Sequence, residues 1–246
     1  MQIRTMPLSR GWGLFRRGWN SFTKDWVTWV LSFVVFFVIS IVLNLVPLIG
    51  GLVMAVITPA LVAGLMKIAH DLEAEETVGV GHLFQPVQDH DRRVPLLLLG
   101  LVALLASLVM AVVLALFVGG AAQMGGAAGG MGEMMVFPLA GVGFFGLIVL
   151  LLLYLVVFAV LAFSIPLVYF RGLGIAEAIP ASVRGTLLNI GPLVIFSLIY
   201  FVLAFLAMIP LGLGFLVLGP VVLAALYGAY VEIFGDEAEV VEVEQL

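Results

Sequence analysis

Six runs of apolar residues, each about 20 residues long and so able to cross a bilayer, limit what this chain can fold into. They lie near 26–47, 51–69, 94–118, 141–165, 190–209 and 212–234. Inside a bilayer no water satisfies the backbone, so only helices or closed barrels span it. Barrel strands alternate apolar and polar residues, whereas these runs are apolar throughout. The expected fold class is all-α: a polytopic helical membrane protein with six transmembrane helices. Composition agrees, since only 10% of the 246 residues are charged and 64% are hydrophobic, against roughly 25% charged in a soluble domain. The turns near 48–50 and 210–211 are short, so spans 1–2 and 5–6 should form tight helical hairpins.

The basic residues orient the spans. Arg4, Arg10, Arg16, Arg17, Lys24, Lys67, Arg92, Arg93, Arg171 and Arg184 all fall on one side of a six-span arrangement, and the opposite loops carry only Glu133. The positive-inside rule then places both termini in the cytoplasm. The net charge of −5 comes largely from the ending "DEAEVVEVEQL". No basic stripe is present for nucleic acid, so none is expected as a partner. The first apolar run lacks a small-residue cleavage site, and no removable signal peptide is read. The absence of cysteine removes disulfides, thiolate metal sites and Cys nucleophiles from consideration.

Before the first span, Trp12, Phe15, Trp19, Phe22, Trp26 and Trp29 recur at spacings of three and four. This reads as one stripe of a helix, with Arg16, Arg17 and Lys24 lying off it. Two readings fit. One is a distinct interfacial helix with its rings in the acyl boundary; the other is an aromatic belt that anchors span 1.

The two ends of the chain read as copies of one unit. Asp25 precedes span 1 and Asn189 precedes span 5, and both are good N-cap residues. The following spans end in "VPLIGG" and "IPLGLG", which carry Pro47 and Pro210. The next spans hold matched prolines, Thr58-Pro59 and Gly219-Pro220, and exit through "KIAHDLEAEE" and "AYVEIFGDE". The organisation expected is a single membrane domain over 1–246: repeat one at 10–76, a central hairpin at 94–165, repeat two at 175–238 and an acidic tail at 239–246. Both copies begin on the same side, so the repeat is parallel rather than inverted. Pro47, Thr58, Pro59, Pro210, Gly219 and Pro220 are read as helix breaks and as a possible binding region.

In the second copy, "AEAIPASVRGTLLNIGP" interrupts the apolar sequence. A helix there puts Ile175, Ile179, Val183 and Leu187 on one face, to be buried in lipid or against the hairpins, and Arg184 away from it. Asn189 is expected to cap span 5. Trp12, Trp19, Trp26, Ile179, Val183 and Arg184 are therefore the expected interfacial contacts.

The run "EAIPASVRGTLLNIGPLV", the turn "IPLGLG" and the ending "YGAYVEIF", with Tyr227, Tyr230, Glu232, Ile233 and Phe234, resemble an uncharacterised family of six-span bacterial inner-membrane proteins. More distantly they are similar to the membrane domain attached to some glycerophosphodiester phosphodiesterases. The resemblance implies a bacterial inner membrane and supplies no catalytic residues. No phosphodiesterase catalytic domain is present in the sequence.

Sequence motifs for chemistry are weak. His70, His82 and His90, with Asp71, Glu73, Asp89 and Asp91, offer metal-ligand atoms but match no defined spacing. Met124, Met131, Met134 and Met135 in the loop Gly119–Met135 offer thioethers suited to Cu(I), or simply a flexible linker. "GVGFFG", Gly141–Gly146, matches a dinucleotide fingerprint but neither follows a strand nor precedes a crossover helix. Ser32, Ser40, Thr58, Ser107, Ser164 and Ser197 have no His–Asp pairing nearby in sequence and can bond back to their own helices. No metal and no cofactor is expected. Nor does an ionisable residue lie near mid-membrane, where ion-coupled transporters place one. The expectation is a non-enzymatic protein, an accessory or scaffold subunit of a membrane complex or a homo-oligomer, with the bilayer and a protein as partners. A transporter or channel for a small or lipidic solute is the alternative, resting on the matched prolines.

Overall fold

The computed structural model describes residues 3–47, 49–124 and 137–235. Among these the chain is helical, with no strand. The helices are α1 Arg10–Lys24, α2 Trp26–Asn44, α3 Ile49–Glu73, α4 Gln85–Gln88, α5 Arg93–Met124, α6 Phe137–Leu161, α7 Ser164–Arg171, α8 Ile175–Leu188, α9 Ile190–Met208 and α10 Phe215–Phe234. A 3-10 turn, Val80–Phe84, precedes α4. Six stretches are long and apolar enough to span: α2, α3, Arg93–Phe117 of α5, Phe145–Arg171 across α6 and α7, α9 and α10.

Several boundaries differ from the sequence reading for physical reasons. α3 runs to Glu73, so His70, Asp71 and Glu73 lie on a helix rather than in a loop. The fourth span is broken at Ala162–Phe163, after which α7 continues to Arg171 and stops at Gly172 with φ 67°. That left-handed cap is the conformation glycine adopts without steric cost. α5 extends to Met124, so the start of the supposed Met-rich loop is helix. Met131, Met134 and Met135 lie outside the described residues, as does the tail from 236 onward.

α10 and α3 are the most enclosed spans, while α2, α5, α6 and α9 surround them with large apolar side chains facing outward. α1 is a separate helix that packs chiefly on α10 and also on α9. Gly18 sets that crossing, because a Cβ there would collide with the Val221 carbonyl of α10. α8 packs instead on α6 and α7. The order short helix, span, turn, span thus occurs at both ends of the chain, but the two short helices rest on different neighbours.

The connection after α3 folds back into the bundle. Leu83 is fully buried and its backbone sits on Gly64, where any Cβ would meet the Leu83 carbonyl. The 3-10 turn packs against both α3 and α2. The segment between the second and third apolar runs is therefore packed into the core rather than a free loop.

Candidate functional site

The charged side chains gather where α1, the C-terminal ends of α3 and α10, the re-entrant turn and α7 meet. Arg17 reaches from α1 to Glu73 of α3 with both arms of its guanidinium: Nε to Oε1 at 2.7 Å and Nη2 to Oε2 at 2.6 Å. Its remaining Nη1 donates to the Gly228 carbonyl of α10 at 3.1 Å. One side chain thus ties three helices. The pair is mostly enclosed, at 14 and 16% side-chain exposure, where a bidentate charge-assisted pair is at its strongest. Lys24 Nζ donates to the Leu72 carbonyl at 3.0 Å, and Arg10 stands 3.6 Å from Glu232.

Two residues earlier on α3, Asp71 is buried. Its Oδ1 accepts from Lys67 Nζ at 2.9 Å, an i,i+4 pair. Its Oδ2 faces His82 Nε2 of the re-entrant turn at 3.3 Å, without hydrogen-bond alignment. His82 Nδ1 closes the turn against Gly79. Gly64, Lys67 and Asp71 share one helical face, so α3 holds the turn by a close backbone approach at one point and a charge at another.

His70 points to a different neighbour. Its Nδ1 lies 2.7 Å from the Tyr227 hydroxyl of α10, and its ring is 5.2 Å from Phe170 of α7. Phe170 in turn packs on Tyr230, Tyr230 on Phe234, and Phe234 on Phe163. These aromatic contacts join α3, α7 and α10.

The N-terminal segment closes the arrangement. Met6 N–H donates to Asn189 Oδ1 at 2.6 Å, and Asn189 Nδ2 donates to the Arg4 and Gly185 carbonyls, each at 2.9 Å. Arg4 N–H donates to the Ile233 carbonyl at 2.9 Å. Asn189 therefore does not cap α9 with its side chain, contrary to expectation; its amide is fully occupied in holding the N-terminal segment and the end of α8. Asp25 does cap α2, accepting from Thr28 N–H at 3.0 Å.

The other sequence-predicted residues fall as follows. Trp12, Trp19 and Trp26 are exposed, whereas Phe15, Phe22 and Trp29 are buried, so the single expected stripe is divided. In α8 the face against the protein is Ala178, Ser182, Gly185 and Thr186. Ile179 and Val183 lie at its flank, half-buried, and Leu187 and Arg184 face out. Of the expected face, Ile179 packs against the core, whereas Leu187 does not pack against the hairpins. The working contact of α8 is Ser182, which sequence inspection passed over. Its hydroxyl donates to the Ala159 carbonyl at 2.7 Å and accepts from Phe163 N–H at 3.1 Å, satisfying the backbone where α6 breaks into α7.

Of the expected helix breaks, Pro47 and Pro210 fall in turns between helices, but Pro59 and Pro220 do not interrupt theirs. α3 continues through Pro59 and α10 through Pro220, both buried. Thr58 donates to the Met54 carbonyl within α3, and Gly219 is in contact with the Phe33 ring. Pro47 and Pro210 sit in exposed turns at the opposite end from the charged cluster. These residues do not converge on one site. Neither do the histidines and carboxylates converge as ligands: no group of three or more lies together among the described residues. His90 is exposed, and Asp89 accepts from the amides of Asp91 and Arg92 in its own turn. Gly141–Gly146 lies within α6 and is helix, not a phosphate loop.

Six spans and an internally paired polar cap at one end define a multi-pass helical membrane protein. The chain belongs to a family known as Predicted integral membrane protein (DUF2189), whose model matches residues 45–169, about half of the chain. The match covers α3, the re-entrant turn and α7 as far as Tyr169, hence His70, Asp71, Glu73 and His82. It does not include Arg17 or Tyr227, the partners of Glu73 and His70 from the two ends. No curated protein and no solved structure matches the chain.

Proposed function

We propose that this integral membrane protein is not an enzyme and works by contact, as an accessory or scaffold subunit of a membrane complex or as a homo-oligomer. The membrane is a bacterial inner membrane, with both termini on its cytoplasmic side. One observation carries the reading: most polar groups of the cap are occupied in building it, although Asp71 Oδ2 faces His82 without an aligned hydrogen bond. Arg17, Glu73, Asp71, Lys67, His70 and Asn189 each bond a residue of the same chain. The hydroxyls of Thr58, Ser107, Ser164 and Ser197 bond back to carbonyls of their own helices. Such a cap gives a rigid shape rather than reactive groups, and rigid shape serves recognition. Helices α2, α5 and α9 supply broad apolar flanks through which a second membrane protein can pack.

Extraction of the tagged protein in native-lipid discs, followed by native mass spectrometry, tests this. The expected spectrum contains a second polypeptide, or a second copy of the chain, in fixed ratio. A single chain accompanied only by lipid overturns the reading.

A further inference from the structure

The outer edge of α1 carries exposed tryptophans. Trp12 and Trp19 are 65 and 51% exposed, and Trp26, at the start of α2, is 58% exposed. Phe15 and Phe22 are buried, with Phe15 stacked on Phe196 of α9. At 3.6 residues per turn, Trp12 and Trp19 lie about 60° and about 40° around the helix from Phe15. Arg16 lies on the far side of Trp12 from Phe15, about 40° around, followed by exposed Asn20 and Lys24. Going around α1, the protein contact gives way to indole, then to cation. Packing on α10 and α9 needs only the first of these.

The charge of this edge is also positive. The protein is net negative at −5, yet α1 has no acidic residue. Arg17 is consumed by Glu73 and Lys24 reaches the Leu72 carbonyl. Arg16 is exposed and has no ion-pair partner among the described residues. It stands four residues after Trp12 and three before Trp19, so both indoles neighbour it on the helix surface.

We propose that this edge binds anionic phospholipid, with the Arg16 guanidinium taking the headgroup phosphate and Trp12 and Trp19 seated beside it at the acyl boundary. A guanidinium fork matches phosphate geometry. Indoles settle at headgroup level with the ring in apolar surroundings and the N–H toward polar ones. An anionic leaflet adds an attraction that a zwitterionic one lacks. The binding goes beyond the scaffold reading and does not depend on it.

The four tryptophans of the chain all lie between residues 12 and 29, so intrinsic fluorescence reports on this region alone. The full chain is reconstituted in vesicles of equal parts phosphatidylcholine and phosphatidylglycerol, with a brominated quencher carried by one lipid or the other. Brominated phosphatidylglycerol should quench more strongly, corresponding to local enrichment on the order of fivefold for one surface cation. The excess should fall toward equality in about 1 M salt, vanish in Arg16→Gln and largely persist in Arg16→Lys. Far-ultraviolet circular dichroism confirms that each variant is folded. Equal quenching by the two lipids in the unmodified protein overturns the proposal, as does an excess that Arg16→Gln leaves intact.

Discussion

Arg17→Ala should destabilise the protein by about 3 kcal/mol, the scale for removing one member of an enclosed ion pair. The cause is less the lost attraction than the Glu73 carboxylate left behind. It is only 16% exposed, and nothing replaces the two hydrogen bonds it accepted. The Gly228 carbonyl loses its side-chain donor as well. Arg17→Lys keeps the charge but cannot hold both carboxylate oxygens and the carbonyl together, so it should recover only part of the loss. Arg17→Met combined with Glu73→Leu removes both charges and should be markedly more stable than Arg17→Ala alone. Reversible unfolding in mixed micelles measures all three. A loss below about 0.5 kcal/mol for Arg17→Ala would place the pair among surface ion pairs and remove the argument that it joins three helices.

Asn189→Leu should release the N-terminal segment from the cap. The substitution leaves the Met6 N–H and the Arg4 carbonyl without their side-chain partner in a buried setting. Each orphaned group costs about 1–3 kcal/mol. Amide exchange at Met6 should accelerate on the order of 100-fold, as a loss of about 3 kcal/mol implies, and trypsin should cut more readily at Arg4. Asn189→Asp keeps the acceptor for Met6 N–H but loses both donated bonds, so it should fall between. The Arg17–Glu73 pair still anchors α1, so exchange within α1 should change far less. Unaltered exchange at Met6 in Asn189→Leu would contradict the clamp.

The contrast between Asp25 and Asn189 shows where sequence stops informing. Each precedes an apolar run, and each therefore reads as an N-cap. Asp25 is one; Asn189 is not, because a segment more than 180 residues earlier in the chain passes beside it and claims its amide. No local pattern encodes that partner. The spans were legible because length and uniform apolarity suffice to define a membrane helix. Their ends were less so: Glu73 and Asp71 look like loop residues until Arg17, Lys67 and His82 are seen to hold them on α3. The aromatic spacing before span 1 was visible, but not which rings face protein. Phe15 and Trp19 are equally apolar to a periodicity argument, and Gly18 with its approach to Val221 decides between them. In α8 the apolar residues drew attention, yet small and polar Ala178, Ser182 and Gly185 make the contact, as expected where helices pack closely in lipid. Pro59 and Pro220 read as breaks, but a proline removes only one helical bond, and membrane helices absorb it by local adjustment.

The proposed scaffold places the polar cap and both short lead-in helices on the cytoplasmic side, opposite the turns that carry Pro47 and Pro210. The chain has no cysteine, so single-cysteine labelling has no background to subtract. Leu211 is 96% exposed in the α9–α10 turn, and Arg184 is exposed on α8. In intact spheroplasts, a membrane-impermeant maleimide should label Leu211→Cys at once and Arg184→Cys only after permeabilisation. Labelling of both before permeabilisation, or of Arg184→Cys alone, would contradict the arrangement.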